Sequence, residues 1–179
     1  KIRDELVTQY DNPYAIETAI FELDSPDLRA EVTRSLFHCA RPYMESFTIY
    51  GENACYEWQM EDESPVLFRM SPVVPGEHRT ETLERPELLD HTELLPQSIR
   101  KYTKRFVYDS VEKHLSFEQG GGHHGSHPHL VNEFVSSIIE GRQPWIDAVT
   151  SATWTAAGIC AHKSAMMNGA EIMVPKFDD

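Results

Sequence analysis

Apolar and polar residues alternate along the first third of the chain and recur at helical spacing along the last third. Ala15–Leu23 mixes apolar with acidic positions, and Asp24-Ser25-Pro26-Asp27 follows as a turn. Arg29–Cys39 alternates: Ala30, Val32, Arg34, Leu36 and His38 share one face, and Glu31, Thr33, Ser35, Phe37 and Cys39 share the other. Arg41-Pro42 ends this strand. Phe47–Tyr50 and Ala54–Trp58 flank Gly51-Glu52-Asn53, a short hairpin loop. Val66–Met70 and Thr80–Leu83 are weaker strand candidates. Polar residues on both faces predict a sheet with helices on one side and a polar or subunit-facing surface on the other.

Glu84 to Ser98 is acidic and proline-bearing and reads as loop with room for a turn of helix, while Ser98 to Leu115 fits helix and strand equally. Beyond it the period changes. Leu130, Val131, Phe134, Val135, Ile138 and Ile139 recur at helical spacing, with Pro128 in the first turn and Gly141 as the stop. A second helix starts with Asp147 as N-cap and runs through Ala152, Ala156, Ile159 and Cys160 to Asn168-Gly169. Glu171–Pro175 reads as a last short strand. Strands first and helices later predict an α+β fold: an open, mostly antiparallel β-sheet with helices packed on one face.

Composition narrows the function classes. The 179 residues suffice for one substantial domain or two very small ones. A net charge of −13 disfavours nucleic acid and anionic membranes as partners. The basic run Arg100-Lys101-Tyr102-Thr103-Lys104-Arg105 reads better as a solvated segment balancing nearby acids than as an anion patch. No apolar run approaches the ~20 residues of a membrane span, and the charged N-terminus is followed by no signal-peptide core. Cys39, Cys55 and Cys160 are odd in number and widely spaced, which fits reduced thiols in a cytoplasmic protein.

The most unusual segment is Gly120-Gly121-Gly122-His123-His124-Gly125-Ser126-His127-Pro128-His129. Glycines allow close backbone approach to a ligand, and the following helix N-terminus favours neutral imidazoles. Such rings suit recognition of sugar hydroxyls or relay of a proton. Three readings remain open: a substrate-facing loop, a metal site to which Glu133 adds an oxygen, and a surface loop with incidental histidines. The spacing matches no closed zinc pattern, so no metal ligand is assigned. Arg34 and His38 share a strand face and could line a pocket, or pair with Glu17 or Glu45. Trp58, Trp145 and Trp154 read as packing residues before sugar platforms. Glu57 and Glu133 are a possible acid pair, and His162 reads as packed or surface before base. No dinucleotide fingerprint, phosphate loop, nucleophile elbow or zinc-protease motif is present.

Two blocks resemble the Gfo/Idh/MocA oxidoreductases, the family of glucose–fructose oxidoreductase and inositol dehydrogenase. The first is Thr33-Arg34-Ser35-Leu36, then Tyr43-Met44-Glu45-Ser46-Phe47-Thr48-Ile49-Tyr50-Gly51, ending in Tyr56-Glu57-Trp58. The second runs from Gly125 to Phe134, through Glu140-Gly141-Arg142 and Ile146-Asp147, then Trp154 to His162 and a final Val174-Pro175.

The resemblance implies that residues 1–179 are a C-terminal substrate-binding and oligomerisation domain. It also implies an N-terminal Rossmann domain, absent from this chain, that binds NAD or NADP and carries the main catalytic groups. The implied activity is hydride transfer on a sugar or polyol, with a homodimer or homotetramer formed through the sheet face. His123, His124, His127, Arg34 and Glu45 are then the substrate-side candidates. Two alternatives stand beside this: a stand-alone carbohydrate-binding or oligomerisation module, and a metal-dependent sugar lyase or isomerase using the histidines.

Overall fold

A computed structural model of the chain describes residues 12–35, 44–60, 63–104, 106–108, 110–118 and 123–177. It has α+β architecture, with two helices following the main strands. The chain divides into two compact units, one from the segments before residue 42 and after residue 142, the other from those between.

In the first unit, strands β1 (Ile16–Glu22) and β2 (Arg29–Ser35) form an antiparallel hairpin. Its turn is closed by the Leu28 amide donating to the Ser25 carbonyl at 3.2 Å, where the Ser-Pro-Asp sequence predicts it. The register sets Glu17 opposite Arg34, Ala19 opposite Val32 and Phe21 opposite Ala30. Period-two geometry puts these six side chains on one face.

Helix α2 of the same unit spans Ala148–Met166 and packs against β1. Asp147 caps it by accepting from the Thr150 amide at 2.8 Å, as its sequence position predicts. Ala156 and Cys160 are buried, and the small side chains of this helix permit close approach to neighbouring backbone. The Tyr14 hydroxyl donates to the Ala165 carbonyl at 3.1 Å, and the Cys160 thiol meets the Met173 carbonyl at 3.8 Å. The segment Glu171–Pro175, expected as a strand, joins no ladder among the described residues. Its backbone returns to α2 instead.

In the second unit, β3 (Phe47–Tyr50), β4 (Ala54–Trp58), β5 (Val66–Met70) and β6 (Glu81–Glu84) form a four-stranded antiparallel meander. The Gly51 amide donates to the Ala54 carbonyl at 2.9 Å and closes the first hairpin. Phe47 stacks on Tyr56 and meets Trp58 edge-on, each at 5.5 Å between ring centres. Across the sheet end, the Arg79 guanidinium donates to the Ser71 carbonyl at 2.7 Å and to Asn53 Oδ1 at 2.9 Å, tying two loops together.

The undecided stretch after Ser98 is neither a long helix nor a long strand. It holds a 3₁₀ turn at Arg100–Thr103, a two-residue strand β7 (Phe106–Val107) paired with β8 (Phe117–Glu118), and a 3₁₀ turn at Lys113–Leu115. Within the basic run, Arg100 donates to the Leu95 carbonyl at 2.8 Å and Lys104 pairs with Asp90 at 3.4 Å. Helix α1 (Ser126–Glu140) ends at Gly141 in the left-handed region, and packs on the 3₁₀ turns Arg100–Thr103 and His123–Gly125.

The main strands form two open sheets, a hairpin and a four-stranded meander, with no ladder joining them among the described residues. Alternation assigns faces to strands, and short loops favour neighbours in sequence; neither decides whether distant edges pair. Among the described residues no helix is long and apolar enough to cross a membrane.

Candidate functional site

Two constellations bring the candidate residues into contact, one in each unit. In the first unit the cross-strand register puts Glu17 beside Arg34, and α2 adds His162 from the next layer. Arg34 Nη2 donates to Glu17 Oε2 at 2.6 Å, and His162 Nδ1 lies 2.6 Å from Glu17 Oε1. The Glu17 side chain is 9% exposed, so its charge depends on these partners. Burial alone pushes its carboxyl up; the hydrogen bonds from Arg34 and His162 outweigh that and hold it below the ordinary glutamate range. An ionised carboxylate only accepts, which assigns the Nδ1 proton to His162 and leaves Nε2 as the ring's second polar atom.

These residues line an open cleft of about 450 Å³ together with Asn12, Thr155, Gly158 and Ile159. Positions 155, 158, 159 and 162 follow helical spacing, so one face of α2 forms a wall. A side chain at Gly158 would begin in open space, with nothing within 4 Å of its first carbon. Thr155 spends its hydroxyl on the Ser151 carbonyl at 2.8 Å. Sequence reasoning offered pocket lining and pairing with Glu17 as alternatives for Arg34; the register delivers both. His162, read from the sequence as packed or surface before base, meets a partner 145 positions away that no sequence spacing indicated.

In the second unit the Gly/His loop forms the 3₁₀ turn at His123–Gly125 and feeds α1. His123 Nδ1 lies 3.2 Å from Glu45 Oε1, and its ring centre lies 4.9 Å from that of His127. Three of the five candidates therefore meet. The His124 side chain lies outside the described residues. His129 Nε2 bonds the Asp90 carbonyl at 3.0 Å, a structural contact.

Gly125 makes this geometry possible. Its φ is +74°, and a Cβ there would lie 2.3 Å from the Thr103 carbonyl oxygen. Only glycine combines that conformation with that approach.

The weaker candidates are placed differently. Glu133 is engaged by Arg142 at 2.6 and 2.9 Å, a bidentate pair at the helix end, and Arg142 also meets Glu140 at 2.6 Å. Glu57 accepts from the Cys55 thiol at 3.7 Å. Burial first, and then the Glu57 carboxylate, push that thiol up, so Cys55 stays protonated. Trp58 packs with Phe47 and donates to the Glu63 carbonyl at 3.2 Å. Trp145 and Trp154 are exposed, and His38 lies outside the described residues. Among the described residues no three His, Cys, Asp or Glu side chains gather as a metal site.

No family model, curated protein or solved structure matches the chain. The family likeness therefore rests on the two sequence blocks alone.

Proposed function

We propose that this chain is the substrate-side part of an NAD(P)-dependent oxidoreductase acting on a sugar, polyol or related carbohydrate. The observation that carries the reading is the Glu17–His162 pair in a cleft. Oxidising a hydroxyl requires an acceptor for its proton, and an imidazole oriented by a buried carboxylate is well suited to that task. Glu17 fixes a proton on Nδ1, which leaves Nε2 as the ring atom that can take a proton from substrate. Arg34 shares the carboxylate and keeps it ionised. Glu17 thus joins one residue from each block of family likeness, Arg34 from the first and His162 from the second.

The nicotinamide would supply the hydride chemistry. The chain's own residues do not fit that group: the sequence has no glycine fingerprint opening a helix after a strand, so nothing here cradles a pyrophosphate. The family's arrangement, one open sheet with helices on one face and an oligomer interface on the other, belongs to the same proposal for the assembled protein.

The test uses the longest reading frame that contains this chain, assayed for nicotinamide reduction with NAD and NADP against sugars, polyols and their acids. Turnover with at least one of them is expected, with kcat falling about 100-fold in His162→Gln. No turnover with either cofactor overturns the reading. Saturable binding without turnover would then favour a carbohydrate-binding module.

A further inference from the structure

We propose that the cleft between the β1–β2 face and α2 takes a short polyhydroxy acid, an aldonate or uronate, rather than a neutral sugar. The proposal rests on the reading that this cleft faces substrate. Arg34 carries five N–H groups in a planar fork. Among the described residues its hydrogen bonding is to Glu17 through Nη2. The rest of the fork has the geometry for a second carboxylate. The guanidinium side chain is 46% exposed, so a ligand can reach it.

Glu17 spends one oxygen on Arg34 and the other on His162, so it does not meet an incoming anion with an unshared charge. The Asn12 Oδ1 accepts from the Tyr14 amide at 2.9 Å, which leaves its amide N–H groups to donate while the His162 Nε2 accepts, the mixed character that hydroxyls need. Ile159 and Gly158 form a wall without polar side chains, suited to the C–H face of a carbon chain. A volume of about 450 Å³ lies within the usual range for a small-molecule site.

The test follows the imidazole resonances of the histidine-labelled chain by NMR, with His162 identified by the signal lost in His162→Gln. Gluconate is the acid probe and glucitol the neutral one. Gluconate is expected to shift the His162 resonances saturably, with glucitol binding about tenfold more weakly. Arg34→Gln should cost gluconate about tenfold in affinity. Because that variant also strips a partner from buried Glu17, Gly158→Leu serves as a second probe. It leaves every charged group in place, raises helix propensity, and should abolish the shift by filling the cleft.

No saturable shift with gluconate, equal affinity for glucitol, or undiminished binding in Gly158→Leu would each overturn the proposal. Failure here is separable from failure of the oxidoreductase reading. A chain that binds gluconate, in a protein that transfers no hydride, keeps the site and loses the reaction. A protein that oxidises neutral polyols, with a chain that ignores gluconate, keeps the reaction and loses the acid specificity.

Discussion

Gly125 and Gly141 flank the same helix, both with positive φ, yet they answer to different constraints. At Gly141 an added Cβ meets nothing within 4 Å, so the conformation alone asks for glycine. At Gly125 the same atom would collide with the Thr103 backbone. Gly141→Ala is therefore expected to cost about 1 kcal/mol, the left-handed penalty. Gly125→Ala should cost more than about 2 kcal/mol, because the 3₁₀ turn bearing Thr103 must also move. Urea unfolding of both variants checks the difference; equal losses would mean the Thr103 contact does not constrain the loop. Histidine clustering made this loop conspicuous in the sequence. What was not legible was which rings meet, since neighbouring residues on a tight turn point in different directions.

At the scale of elements, Glu17 fastens three pieces of chain: β1, which carries it, β2 through Arg34, and α2 through His162. Its carboxyl sits below the ordinary glutamate range when folded. A depressed folded value contributes stability above the unfolded value of about 4.3, and that contribution is lost as pH falls through the folded value. Glu17→Gln should lower stability at neutral pH by about 1 to 3 kcal/mol, the cost of weakening hydrogen bonds between charged groups. Its deficit relative to the parent should shrink as pH falls from the unfolded value of about 4.3 through the lower folded value, below which Glu17 too is neutral. Denaturation followed across that range checks it; a constant deficit would remove the carboxylate from this role. The strand pattern made Arg34's face legible, and a pairing with Glu17 was one of the options it left. The third partner was not legible, because helix-on-sheet placement depends on packing that no local pattern encodes.

At the scale of the whole molecule, exposed apolar surface is conspicuous. On α1, Leu130, Val131, Phe134, Ile138 and Ile139 are each at least half exposed. On the four-stranded sheet the register puts Phe47, Ile49, Tyr56, Trp58 and Leu67 on one face. Phe47 is 50% and Ile49 61% exposed. Apolar surface of this kind marks interaction sites more often than free solvent faces. Association through the sheet face, as proposed for the assembled protein, predicts a species heavier than the monomer in sedimentation velocity. Ile49→Glu should shift that species toward monomer by placing a charge in the interface. An unchanged distribution would place the interface elsewhere.

The sequence by itself determined the elements that local physics controls. The sequence pattern located β1, β3, β4 and β5 to within a residue and β2 at its start, the expected end of β2 at Cys39 lying outside the described residues, and Asp147 and Gly141 marked helix ends through capping chemistry. Only the tertiary structure decided that, among the described residues, the main strands form two sheets and Glu171–Pro175 joins no ladder, and that His162 completes the Glu17–Arg34 pair. The physical reason is range. Propensity, period and capping act over a few residues and are written beside the atoms they govern. Sheet edges and helix docking depend on groups far apart in the chain, whose meeting is settled by the packing of the folded chain.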